Sequence, residues 1–200
     1  WNLSRLAETI LFLISKNTSD AIKVVEEILF DFDKNFNNSL DILSSHKLGF
    51  KNNSKKTSSL YSELLNLMED GKADFTGTFK SLKAALTKED ETIFFNNFRN
   101  SDEDKQHAVS QWLGNWRKLL QENSKSKTEA IELLSSSNPE FIMRNHLVEQ
   151  AIGKATKGDF SDFEILCDLL ITPFEVKENH ETFYNAPRDS EVVHQTFCGT

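Results

Sequence analysis

The chain has 200 residues and a net charge of −8, with 23 Lys and Arg against 31 Asp and Glu. So acidic a chain is a poor ligand for polyanions, which disfavours a bulk nucleic-acid or anionic-membrane role. Hydrophobic residues make up 38% and charged residues 27%, enough to bury a core, while only 7 Gly and 3 Pro argue for helices over a turn-rich β sandwich. Sixteen Phe against two Tyr suggest aromatics that mostly fill core. The longest apolar run, Ile10 to Ile14, is five residues, and a membrane span needs about 20, so none is expected. Trp1 stands where an initiating Met is expected, and the chain reads as a piece of a longer protein.

Residues 2–15 place Leu3, Leu6, Ala7, Ile10, Leu11, Leu13 and Ile14 at the spacing of an amphipathic helix. Asn17-Thr18-Ser19-Asp20 supplies caps for the next one. A long helix over 21–45 follows from Ile22, Val25, Leu29, Phe32, Phe36, Leu40 and Leu43, and Gly49 is its expected C-terminal cap. Lys51 to Lys56 reads as a loop. Helices are expected over 58–69, ended by Asp70-Gly71, then over 79–86 and 90–98. Ser101-Asp102-Glu103-Asp104 matches a capping box that opens a helix over 103–122, with Val109, Trp112, Leu113, Trp116, Leu119 and Leu120 on its apolar face. A short helix over 128–135 follows. Asn138-Pro139 reads as the start of the next helix, with Asn at the N-cap and Pro at the first position, and Gly158 closes it. Ser161 to Glu164 resembles a second capping box, opening a helix over 161–171 that Pro173 stops. Residues from 174 onward lack periodicity and read as an irregular, extended tail. No repeat of solenoid length is present. The expected fold is all-α, an irregular multi-helix bundle.

Few residues point to chemistry. The Gly spacing of a phosphate-binding loop is missing. His46, His107, His146, His180 and His194 are scattered without HExxH spacing, and Cys167 and Cys198 form no CxxC, so no metal site of standard spacing exists. Glu26-Glu27, Asp31-Asp33, Glu89-Asp90-Glu91 and Asp102-Glu103-Asp104 read as solvated faces and helix-dipole partners rather than acid/base pairs. Arg144 and Asn145 fall inside an apolar helical pattern; a buried hydrogen-bond anchor is preferred to an arginine that reaches a ligand or another domain. Cys167 is expected to be half buried and inert. Cys198, third from the end, is a tail thiol that can reach a partner cysteine or be oxidised.

The stretch Asn138-Pro139-Glu140-Phe141-Ile142-Met143-Arg144-Asn145-His146-Leu147 resembles the NPxxxxRNxL motif of the selenoprotein O family. Trp1 to Ala7 is similar to that family's WNLxRLA helix. Lys47-Leu48-Gly49, Asp74 to Phe79, Lys157 to Ser161 and Thr172-Pro173-Phe174 match further segments in the family's order, so the resemblance covers essentially the whole chain. It implies a kinase-like fold that binds ATP in a reversed orientation and transfers AMP to Ser, Thr or Tyr hydroxyls of proteins with Mg²⁺ or Mn²⁺. It also implies that the nucleotide- and metal-binding residues lie upstream of Trp1, so that no catalytic, cofactor-binding or metal-ligating residue is carried onto this chain.

On this reading residues 1–20 are the end of the kinase-like C-lobe, 21–172 a helical C-terminal region and 173–200 an irregular tail with the terminal cysteine. The partners implied are the upstream kinase-like domain and protein substrates, with no nucleic acid and no membrane span. The implied compartment is intracellular, mitochondrial in a eukaryote or cytoplasmic in a bacterium. Family members often carry selenocysteine or cysteine third from the end, and in some it pairs with an upstream cysteine to control activity; the resemblance implies that redox role for Cys198. The family's PPxW is replaced here by Asn185-Ala186-Pro187-Arg188-Asp189. An alternative function is a helical interaction module, without enzymatic activity, that binds another protein through an exposed apolar face.

Overall fold

The structure, a computed structural model, describes residues 1–87, 91–123 and 126–195. Among these are nine α-helices and two short 3₁₀ helices, with no strand and one isolated bridge between Ala73 and Phe98. The fold is all-α, as the composition and periodicity predict. Cys198, Glu89 and Asp90 lie outside the described residues. The chain divides into two compact units, Trp1–Ser44 and the residues from Ser45 onward.

The first unit holds α1 (Asn2–Ile14) and most of α2 (Thr18–Lys47). Helix α2 starts three residues before the expected position because Asn17 caps it, its Oδ1 accepting from the Ser19 amide at 3.0 Å. Ala7 and Ala21 are the buried apolar residues here. Most of the apolar stripe predicted for α2 is exposed, including Ile22, Phe32, Phe36, Leu40 and Leu43, as are Leu6, Ile10 and Leu13 of α1.

The second unit contains the core. Its helices are α3 (Lys55–Asp70), α4 (Phe75–Thr87), α5 (Thr92–Phe95), α6 (Glu103–Asn123), α7 (Lys127–Ser137), α8 (Asn145–Ala155) and α9 (Ser161–Ile171). Helices α3 to α7 enclose one apolar cluster built around Leu64, Phe79, Leu113 and Trp116. Phe94, Trp112 and Trp116 stack in sequence at centroid separations of 6.0 and 6.1 Å. Each buried indole finds an acceptor: Trp112 Nε1 donates to the Leu60 carbonyl and Trp116 Nε1 to the Leu48 carbonyl, both at 2.9 Å. A smaller cluster of Phe141, Leu147, Ala151, Leu166 and Leu169 lies between α8 and α9. Phe50, Phe79, Phe94, Phe98 and Phe141 are buried, but Phe12, Phe30, Phe32, Phe36, Phe160, Phe163 and Phe174 are exposed. The expectation that the aromatics mostly fill core is therefore corrected.

Several helix ends depart from the sequence reading, each through a local hydrogen bond. Helix α3 starts inside the expected loop because Ser54 and Thr57 cap each other, Thr57 N donating to Ser54 Oγ at 3.2 Å and Ser54 N to Thr57 Oγ1 at 2.8 Å. Helix α5 is one turn long instead of spanning 90–98; the Asn97 amide donates to the Ile93 and Phe94 carbonyls and closes it. Asp102 rather than Ser101 caps α6, accepting from Lys105 N at 2.9 Å. Helix α9 has the expected bounds but no Ser161 capping box: Ser161 N instead donates to Asp159 Oδ1 at 3.0 Å.

Gly49 and Gly158 end α2 and α8 as the sequence predicts, at φ +82° and +88°. At each, the glycine amide and the next amide fold back onto the helix: Gly49 to His46 and Phe50 to Ser45, Gly158 to Ala155 and Asp159 to Lys154. A Cβ at Gly49 would lie 3.2 Å from Leu134 Cγ and 3.3 Å from the Ala130 carbonyl, whereas one at Gly158 meets nothing within 4 Å. Gly158→Ala is expected to cost about 1 kcal/mol, from backbone strain alone. Gly49→Ala is expected to cost about 2 kcal/mol or more, since packing adds to strain. Urea denaturation of the two variants checks this, and equal losses would show that Leu134 and Ala130 do not restrict position 49.

Candidate functional site

Three of the motifs singled out in the sequence meet at one place. Asp74 is the N-terminal cap of α4: its Oδ1 accepts from Gly77 N at 2.7 Å, and its carbonyl accepts from Thr78 N and Thr78 Oγ1 at 2.9 and 2.7 Å. That cap begins α4 at Phe75 instead of the expected 79. A Cβ at Gly77 would fall 2.1 Å from Asn97 Oδ1 and 2.8 Å from Asp74 Oδ1, so a larger residue there would have to displace both side chains. Onto the same carboxylate comes Arg144, with Nη1 donating to Oδ2 at 2.7 Å and Nη2 to Oδ1 at 2.8 Å. This fork is largely dry, with side-chain exposures of 9% for Arg144 and 17% for Asp74, where a planar guanidinium–carboxylate pair is strongest.

The second contact joins Lys47 and Asn138. Lys47 Nζ donates to Asn138 Oδ1 at 3.1 Å and to the Ser137 carbonyl at 3.3 Å, while Asn138 Nδ2 donates to the Lys47 carbonyl at 2.9 Å. The ammonium also lies 5.0 Å from the Phe79 centroid and 5.9 Å from that of Phe75. Burial pushes the Lys47 ammonium below its ordinary pKa. A third contact holds the tail: Glu140 N and Phe141 N both donate to the Pro173 carbonyl, at 2.8 and 3.0 Å.

These bonds correct the reading of the segment 138–145. Asn138 is not an N-cap and Pro139 does not open a helix; Asn138 is the residue that ends α7, and α8 begins at Asn145. Arg144 does not sit inside a helix. It precedes α8 in an extended conformation, φ −96° and ψ 139°, which turns its side chain out toward Asp74. Asn145, expected to be buried and paired, is exposed. Cys167, expected to be half buried, is exposed too. Of the candidate residues the structure therefore brings Arg144 into the junction and leaves Asn145 outside it. Asp74 and Lys47 join the junction from outside the candidate residues; the local signal for Asp74 is the Asp-x-x-Gly spacing of an aspartate-capped helix.

Chemically the junction is saturated. Arg144 is neutralised by Asp74, and Lys47 is spent on Asn138 and Ser137. Among the described residues no group of three or more His, Cys, Asp or Glu could hold a metal ion. Glu140, in the same linker, lies 3.8 Å from Lys80. The arrangement acts as a joint that fastens the α8–α9 cluster, through the extended linker, to the larger core.

Burial pushes the Asp74 carboxyl up, but the Arg144 fork, the Gly77 amide and the charges of Arg144 and Lys80 pull harder, and it stays below the ordinary carboxylate range. The unfolded chain therefore takes up this proton at higher pH than the folded one. The stabilisation is complete above the ordinary aspartate pKa of about 3.9 and is lost as pH falls through the lower folded value. Arg144→Ala is expected to cost about 3 kcal/mol by leaving the carboxylate buried and unpaired, and Arg144→Lys, which cannot fork, to recover only part. The deficit of Arg144→Ala should shrink as pH is lowered from about 6 to about 3 in denaturation experiments. A deficit independent of pH would rule out the ion pair as its source.

A family model described as protein adenylyltransferase SelO matches residues 1–171. The protein nucleotidyltransferase YdiU of Rhizobium meliloti (strain 1021) is 37% identical over 201 residues, covering all of this chain and 40% of that protein. The proteins of the same name from Bacillus thuringiensis (strain Al Hakam) and Clostridium perfringens (strain SM101 / Type A) are each 32% identical, over all of this chain and 39% of their own length. The chain thus spans about two fifths of the length of these curated relatives.

Proposed function

The chain belongs to the SelO family, and on that premise we propose that it is the C-terminal helical part of a protein adenylyltransferase. In the reaction, a protein Ser, Thr or Tyr hydroxyl attacks the α-phosphorus of ATP, AMP is transferred and pyrophosphate leaves. ATP and Mg²⁺ or Mn²⁺ belong to residues upstream of this chain, and this chain supplies support rather than reacting groups. No described helix is long and apolar enough to cross a membrane.

The observation that carries this reading is the apolar face of the first unit. Leu6, Ile10 and Leu13 of α1 and Phe32, Phe36 and Leu40 of α2 are exposed, and Phe32 and Phe36 stack on each other with centroids 6.0 Å apart. Exposed apolar surface of that extent marks an interface, and its occupant in this reading is the upstream kinase-like domain. The same face suits the second reading, a module that docks another protein without catalysing a reaction. Cys198 is the redox residue of the whole protein in the first reading.

Three measurements separate these readings. The whole protein, with Mg²⁺ or Mn²⁺ and ATP labelled on the α-phosphate, should label protein hydroxyls, and these 200 residues alone should not. Label transfer by this chain alone would overturn its supporting role; none by the whole protein would leave the docking module. Phe36→Glu should weaken association of this chain with a separately expressed upstream domain by more than about tenfold, and an unchanged affinity would refute that interface. Cys198→Ser in the whole protein should abolish the difference in activity between oxidising and reducing conditions; if the difference persists, Cys198 is a bystander.

A further inference from the structure

Residues after α9 turn back across the α8–α9 cluster, through 3₁₀ helices at Glu181–Tyr184 and Asp189–Glu191. None of the residues 172–195 is buried. Against the smaller core cluster they place Phe183 and Tyr184, both partly buried; Val192 and Val193 are partly buried as well. The Tyr184 ring meets Phe141 edge-on at 6.3 Å, lies 5.6 Å from Lys80 Nζ, and accepts at its hydroxyl from Lys177 N at 2.8 Å. Polar attachments join these. Lys177 Nζ donates to Asp168 Oδ2 at 2.6 Å. Arg99, from the segment before α6, forks onto the tail: Nη1 donates to Asp189 Oδ1 and Nη2 to the Pro187 carbonyl, each at 2.6 Å. This is the stretch that replaces the family's PPxW, so a charged fork holds it here.

The inner side of this segment is one wall of a cavity of about 630 Å³. The facing wall is α8, where His146, Gln150 and Lys154 recur every four residues along one side. Behind them the buried Asp162 accepts from Lys154 Nζ at 2.6 Å and Gln150 Nε2 at 2.8 Å.

We propose that residues 177–195 are a releasable strap over this cavity and that Arg99 is its latch. The reason is the contrast in what holds each wall. Helices α8 and α9 are held by buried Leu147, Ala151, Leu166 and Leu169, and opening them exposes apolar core. The strap is held at its far end by a fork whose partners are 43% and 92% exposed, which water can replace at little cost. Segments with few buried contacts open well below the free energy of global unfolding. Release leaves α8 folded and uncovers His146, which is half-buried beneath the segment, while Gln150 on the same side is exposed already.

Hydrogen exchange read by mass spectrometry on the full-length protein tests this. Amides of 178–195 should exchange at least about tenfold faster than those of α8 and α9. Arg99→Ala should speed the strap by roughly a further tenfold, the loss expected for two charge-assisted hydrogen bonds near a surface. Arg99→Lys, which cannot fork, should fall between. Carbethoxylation of His146, read on its own peptide, should rise in parallel, while α6 and α9 amides stay unchanged. Strap amides as protected as α9 would overturn the proposal. So would an Arg99→Ala protein with unaltered strap exchange and His146 labelling, or one in which exchange rises equally throughout, which would make Arg99 a support of the fold and not a latch.

Discussion

The carboxylate of Asp74 meets two demands at once. One oxygen takes the Gly77 amide that α4 leaves unpaired at its start, and both oxygens take the Arg144 fork. The first role places α4 against the aromatic core; the second ties α8 and α9 to it. Between them runs the extended linker from Asn138 to Arg144, which cannot satisfy its own backbone as a helix would. Its polar groups are satisfied elsewhere, on Lys47, Pro173 and Asp74. The loss of either partner in the fork would leave a charge in a dry place, so the pair acts as a determinant of geometry more than as a source of net stability.

The two units treat the same residue types in opposite ways. In the second, Phe79, Phe94, Trp112 and Trp116 are buried and each indole is satisfied by a carbonyl. In the first, Phe32, Phe36 and Leu40 repeat at helical spacing yet remain exposed. Periodicity reports which face of a helix must be covered, and says nothing of whether the cover lies in the same chain segment. The two units thus differ in how much of their apolar surface they bury: the second encloses an aromatic core, and the first leaves most of its apolar stripe exposed.

Much of the fold was legible. Helices α1, α2, α6 and α9, and the glycine ends at 49 and 158, follow from apolar spacing and from the left-handed backbone that glycine adopts easily. These are local properties, decided within a few residues of chain. The misread segment was 138–145, where Asn138-Pro139 has the local chemistry of a helix start. Tertiary partners overrode it: Asn138 is more use to Lys47, 91 residues away in sequence, than to a helix of its own.

The sequence by itself determined that the chain is helical, where most helices lie, and which family it belongs to, because propensity, periodicity and motif order are all written in neighbouring residues. Only the tertiary structure decided that Arg144 meets Asp74, that Asn145 and Cys167 face outward, and that Arg99 fastens the tail. Those pairings join residues 70 to 90 positions apart, and no local pattern specifies which distant carboxylate a guanidinium will find once the helices have packed.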